Sequence, residues 1–151
     1  MLAYFDTSAF VPLLLNDEYA PDCRQAWVEA DIVMATRLLY VESVAALRRA
    51  NRQGRLPDEG VRPSISRLRT LWENFRVIEF DLDLAERAGD LAWRFGLRGF
   101  DAVHCAAAAL VQERDQIETD GTGSGLVAIA GDRELLAAWR DLGIATFEPA
   151  A

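Results

Sequence analysis

Residues 2–15 read LAYFDTSAFVPLLL: an apolar run, Leu2–Phe5, stops at Asp6 and is followed at once by Thr7 and Ser8. A short β-branched or aromatic run bounded by polar residues reads as a buried strand, and Asp before Thr-Ser reads as a strand end that hands the chain to a helix. The same figure returns at LVAIAGDRELL, where the run Leu126–Ala130 is followed by Asp132. Ile32–Ala35, Val77–Phe80 and Ile144–Phe147 complete a set of short strand candidates. Helical periodicity lies between them. It is clearest over residues 82–95, where Leu84, Ala88, Leu91, Ala92 and Phe95 share a face and Gly96 follows as a stop. Residues 40–53 and 63–75 also read as helices, with Pro57 and Pro63 suited to first-turn positions, and the Ala-rich stretch 101–112 is strongly helical. Glu113–Gly125 (ERDQIETDGTGSG) is polar and Gly-rich at its end and reads as a loop. Strands alternating with helices predict an α/β domain with a mainly parallel sheet covered on both faces. No repeat and no linker interrupts the pattern, so one domain over residues 1–151 is expected.

The charges are unevenly spread. All 16 basic residues are Arg and the formal net charge is −8, which argues against a simple nucleic-acid coating protein. Residues 37–76 nevertheless hold nine Arg against four acids, while the rest of the chain holds seven Arg against 20 acids. An acidic protein of this kind can still offer one basic stripe. Two Cys in a chain with this much apolar content read as reduced thiols, and the cytoplasm is the expected location. The start carries Asp6 and no basic segment, so a signal peptide is not expected, and no apolar run approaches the ~20 residues of a membrane span.

Asp6 and Asp132 both follow strands, which in a parallel sheet puts them at the C-terminal strand edge where open α/β sheets bind ligands. Glu42 lies in the first turns of one helix (LLYVESVAALRRA) and Asp101 opens another (GFDAVHCAAAAL), and helices that follow strands begin at that same edge. Four acids can thus meet on one rim. An oxygen-only set suits a hard cation, Mg²⁺ or Mn²⁺, and one His with two distant Cys supplies no usual zinc set. Taken singly, Asp6, Asp101 and Asp132 also read as helix caps and Glu42 as a solvated helix residue. The four Trp fall in helical stretches and read as core or interface anchors.

Four blocks together resemble PIN-domain ribonucleases, in particular the VapC-type toxins of type II toxin–antitoxin modules: FDTSAFVPLLLNDE, YVESVAALRRANRQGRL, LRGFDAVHCAAAAL and AGDRELLAAWRDLGI, in family order from residue 2 to residue 146. The resemblance implies a three-layer α/β/α fold with a five-stranded, mainly parallel sheet. It implies a metal-dependent endoribonuclease that holds Mg²⁺ or Mn²⁺ on Asp6, Glu42, Asp101 and Asp132, the same four acids being catalytic. Thr7, Ser8 and His104 (one turn after Asp101) are candidates for positioning water or substrate, the bland reading being helix start and packed histidine. The implied partners are an RNA substrate, a small cognate antitoxin and a second copy of the chain. The apolar residues Val44, Leu47, Ile65, Leu68, Leu71 and Trp72 would form a groove for an antitoxin helix unless all belong to the core. The chain departs from the family at Ala130, where Thr or Ser often stands two residues before the last Asp, and in a longer 113–125 loop. A PIN-fold RNA-processing nuclease without a toxin role, and a PIN-like binding module with a weakened metal site, are the alternatives. Phosphatases of the haloacid-dehalogenase type and response-regulator receivers also use a strand-end Asp but need a Lys, which this chain lacks.

Overall fold

The computed structural model describes residues 1–151. Five parallel strands, β1 (Leu2–Phe5), β2 (Ile32–Thr36), β3 (Phe75–Ile78), β4 (Leu126–Ile129) and β5 (Ala145–Phe147), lie in the order β3-β2-β1-β4-β5. Seven helices cover them: α1 (Thr7–Leu15), α2 (Ala20–Glu29), α3 (Leu38–Arg52), α4 (Asp58–Trp72), α5 (Leu82–Phe95), α6 (Gly99–Glu118) and α7 (Arg133–Asp141). The three-layer α/β/α arrangement with a five-stranded sheet is therefore as expected, and the sheet is wholly parallel.

Strand alternation builds the two cores. On β1, Ala3 and Phe5 point into a cluster with α1 to α4, and Tyr4 points into the opposite cluster with α5 to α7. All three are fully buried, as a central parallel strand requires. Phe5, Phe10, Trp27, Trp72 and Phe75 pack largely edge-to-face in the first cluster. Small side chains let α6 press onto the sheet: Ala102, Ala106, Ala107 and Ala108 are buried along with Val103, His104 and Cys105. Trp27, Trp72 and Trp139 pack in these cores, whereas Trp93 is 93% exposed on α5. No helix is long and apolar enough to cross a membrane.

Several element boundaries differ from the sequence expectation, and three of the differences have a plain physical reason. Strand β3 begins at Phe75, two residues before Val77, because Phe75 is anchored in the aromatic cluster and pairs with Val33. Helix α4 begins at Asp58, and Pro63 lies inside it rather than in its first turn; Pro57 stands at the N-cap, and Asp58 and Glu59 supply the first-turn acids. Helix α6 runs on to Glu118 through half of the expected loop, since nothing before Gly121 breaks a helix there. Only residues 119–125 are left to turn, with Gly121 and Gly125 at positive φ.

The strand order reverses at β1: the chain moves outward to β2 and β3, then returns to β4 on the other side. The crevice at the C-terminal ends of β1 and β4 is thus a topological switch point, and Asp6 and Asp132 flank it.

Candidate active site

Asp6 follows β1 directly and is the N-cap of α1, which fixes where its carboxylate stands. Its backbone N–H donates to Ile129 O at 3.0 Å, so the acid is tied into the β1–β4 ladder. One oxygen, Oδ2, accepts from the Ser8 N–H at 3.0 Å and from the Ser8 hydroxyl at 2.5 Å. Ser8 Oγ in turn accepts from the Gly131 N–H at 2.8 Å, linking the turn after β1 to the turn after β4. The other Asp6 oxygen, Oδ1, lies 3.5 Å from His104 Nε2. Asp132 is built in the same way: it caps α7, with Oδ1 accepting from the Leu135 N–H at 2.9 Å. Both acids are helix caps and cleft residues at once.

Glu42, in the second turn of α3, has Oε1 between two donors: the Thr7 hydroxyl at 3.0 Å and His104 Nε2 at 2.6 Å. His104 is fully buried on α6, one turn beyond Asp101. Its other nitrogen, Nδ1, is 2.8 Å from the hydroxyl of Tyr4, itself fully buried. Burial, the largest influence, opposes a charge on His104, but Asp6, Glu42 and Asp101 outweigh it and raise its pKa above the ordinary histidine value. Asp101 sits in the first turn of α6; desolvation first, and then the charges of Asp132 and Asp6, push its carboxyl above the usual Asp range.

All four acids, with Thr7 and Ser8, line one cleft of about 960 Å³. Arg49, Arg55 and Arg98 stand on its walls with Tyr19 and Phe100. A neighbouring cleft of about 730 Å³ adjoins it, sharing Ser8, Tyr19 and Asp132. So the sequence-selected residues do come together. Thr7, Ser8 and His104 are each bonded to a carboxylate rather than standing free. Tyr4 is the residue that sequence reading passed over. The available signal was its place two residues before Asp6, on the same side of the strand.

A model of the PIN domain family matches residues 3–122. The chain belongs to the PIN-domain family. Ribonuclease VapC45 of Mycobacterium tuberculosis is 34% identical over 134 residues, covering 89% of this chain and 86% of the relative. Among solved structures, VapC20 of Mycobacterium tuberculosis, a toxin that cleaves the sarcin–ricin loop, superposes with a TM-score of 0.64 at 20% identity, over 97% of this chain and 99% of that one. A chain of a toxin–antitoxin complex from Klebsiella pneumoniae gives 0.62 at 21% identity, over 89% and 90%. These structures share the fold of this PIN domain. PIN-domain ribonucleases of the VapC group are generally dependent on a divalent metal.

The lining of the PIN-domain cleft has the chemistry for such an ion. Its donors are carboxylate oxygens, the choice of hard cations. Asp6, Glu42 and Asp132 each have one oxygen fixed by protein donors and the second without a hydrogen bond. Burial first, and then the charges of Asp132 and Asp6, raise the Asp101 pKa, and a cation among these acids would offset that repulsion. The acids ring the cleft rather than closing on a point, and no three ligand groups stand at the spacing of a ready cage. Mg²⁺ is commonly held by one or two carboxylates, with water and substrate phosphates completing its shell, so a ready-made cage is not required of this cleft.

Proposed function

We propose that this PIN domain is an endoribonuclease, dependent on Mg²⁺ or Mn²⁺, that serves as the toxin of a toxin–antitoxin pair. The observation that carries the reading is the convergence of Asp6, Glu42, Asp101 and Asp132 from four separate elements on the switch-point rim. The relatives' ribonuclease names support the reaction class. Asp6, Glu42, Asp101 and Asp132 would hold the cation. When bound, it makes water a better nucleophile and offsets charge on the phosphodiester. Thr7 and Ser8 keep two of the carboxylates in place, and Arg49, Arg55 and Arg98 give the strand's phosphates cationic partners beside an acidic floor. No nucleophilic side chain is required.

The partner reading rests on the solved toxin–antitoxin complexes of this fold and on exposed apolar surface. Of the six apolar residues first considered for the antitoxin groove, Leu47 and Leu68 are core, Ile65, Leu71 and Trp72 are partly buried against it, and Val44 is exposed. Val41, also exposed, stands one turn before Val44 on α3. A small antitoxin helix laid on this face, with an Arg or Lys reaching Asp6 and Asp101, would cover the cleft. Self-association through exposed Leu82 and Trp93 of α5 is expected as well. The deciding experiment is RNA cleavage by the purified chain with Mg²⁺, with and without EDTA.

A further inference from the structure

The strongest unexplained construction lies beneath the acids rather than among them. Tyr4 and Asp6 are two residues apart on the same strand-and-turn path, and His104 stands between them, edge-on to the Tyr4 ring at 6.0 Å. Tyr4 is held from behind by Trp139, whose ring is also edge-on at 5.8 Å. All three rings are fully buried. A buried tyrosine hydroxyl and a buried imidazole are costly unless bonded, and here each satisfies the other.

The bonding fixes which nitrogen carries hydrogen. Nε2 faces Glu42 Oε1 at 2.6 Å and Asp6 Oδ1 at 3.5 Å, both acceptors, so a proton resides on Nε2. Nδ1 meets the Tyr4 hydroxyl at 2.8 Å. That bond forms whichever way the hydrogen lies: the hydroxyl donates to Nδ1 of a neutral ring, and Nδ1–H donates to the hydroxyl oxygen of a charged one. With Oε1 of Glu42 taken by His104 and Thr7, its Oε2 is the oxygen left for the cleft.

Resting on the proposed metal-dependent reading, we infer that Tyr4 and His104 form a buried strut that orients Glu42 for the cation. They act as positioning residues and touch neither substrate nor water. His104 bonds Glu42 through Nε2 with Asp6 Oδ1 3.5 Å away, and Tyr4 holds the ring at the angle that allows it. Interactions of this kind behind a ligand typically set metal affinity by about 10–100-fold when removed.

The test is Mn²⁺ titration of the purified full chain, by calorimetry and by the rise in melting temperature on adding Mn²⁺. Tyr4→Phe keeps the ring and removes only the hydroxyl. His104→Leu removes both bonds, and His104→Gln returns a donor close to the Nε2 position. We expect His104→Leu to weaken Mn²⁺ binding by about 10–100-fold, Tyr4→Phe to weaken it by a smaller factor, and His104→Gln to recover part of the loss. A merely structural strut would lower the metal-free melting temperature and leave the Mn²⁺-induced rise unchanged; that result, or wild-type affinity in Tyr4→Phe and His104→Leu, overturns the inference. Should His104→Leu fail to fold, Tyr4→Phe alone decides on the same two readouts. A wild-type chain that binds no Mn²⁺ would overturn the metal reading itself, an outcome distinct from unaltered affinity in the variants.

Discussion

Asp6 has Oδ2 fixed by Ser8, while Oδ1 has only His104 near it. Asparagine keeps the cap, because an amide oxygen can still accept from the Ser8 N–H, but loses the charge. Asp6→Asn should therefore fold normally and lose at least ~100-fold of Mg²⁺-supported RNA cleavage, several kcal/mol of transition-state stabilisation at tenfold per 1.36 kcal/mol. Circular dichroism and a cleavage assay on one preparation check both halves. Asp132 is more exposed than Asp6, and its second-residue neighbour is Ala130, which offers no hydroxyl to orient it. Asp132→Asn should weaken Mn²⁺ binding less than Asp6→Asn, and equal loss in the two titrations would reverse that ranking. Asp101 behaves differently because its folded pKa is raised, by burial first and then by Asp132 and Asp6. A carboxyl with a raised folded pKa adds stability below the unfolded value of ~3.9, and that contribution is lost as pH rises through the folded value. At neutral pH the charge is thus a burden on the metal-free fold. Asp101→Asn should raise the melting temperature in EDTA by about 1–3 °C at pH 7, kept small because solvent screens this half-buried side chain. The gain should shrink towards pH 4; calorimetry at the two pH values measures it, and a lower melting temperature at pH 7 would refute it.

At the scale of elements, β1 and β4 were legible because each is an apolar run ended by an acid, and α5 because its apolar face and Gly96 stop are regular. Helix α2 was not, since its buried face is only Ala20, Cys23 and Ala26, small residues that leave no strong period. The extension of α6 was hidden by its polarity: residues 113–118 look like loop but contain no helix breaker. The four acids could be selected from strand ends and helix starts. The strut beneath them could not, because Tyr4 in an apolar run reads as one more core aromatic until His104 is seen against it. Away from the cleft, helix α5 allows a control. Asp81 caps it, accepting from the Leu84 N–H at 2.9 Å. Asp81→Ala should cost about 1 kcal/mol in denaturant unfolding while Mn²⁺ affinity stays at the wild-type value, which separates general destabilisation from damage to the site.

For the whole molecule, the acidic cleft and the basic α3–α4 side stand close together, with Glu42 and Arg49 on a single helix both lining the cleft. The proposed antitoxin would use this neighbourhood, its cationic side chain meeting the acids and its apolar face meeting Val41 and Val44. Val44→Glu should weaken the complex with a co-encoded antitoxin by about tenfold or more, one exposed apolar contact being worth roughly 1.4 kcal/mol at an interface centre, and leave RNA cleavage by the free chain unchanged. Undiminished affinity would place the antitoxin elsewhere. The acidic net charge of −8 fits an enzyme that meets RNA through a cation and a few Arg residues rather than through a broad basic surface. The claim on which all of this depends is metal-dependent hydrolysis of RNA at the cleft, and the most direct measurement is cleavage of a structured RNA by the purified chain beside its Asp6→Asn variant. Cleavage is predicted for the wild type in Mg²⁺ or Mn²⁺, none in EDTA, and at least ~100-fold less for Asp6→Asn; intact RNA in every metal, cleavage that persists in EDTA, or wild-type cleavage by the variant would contradict it.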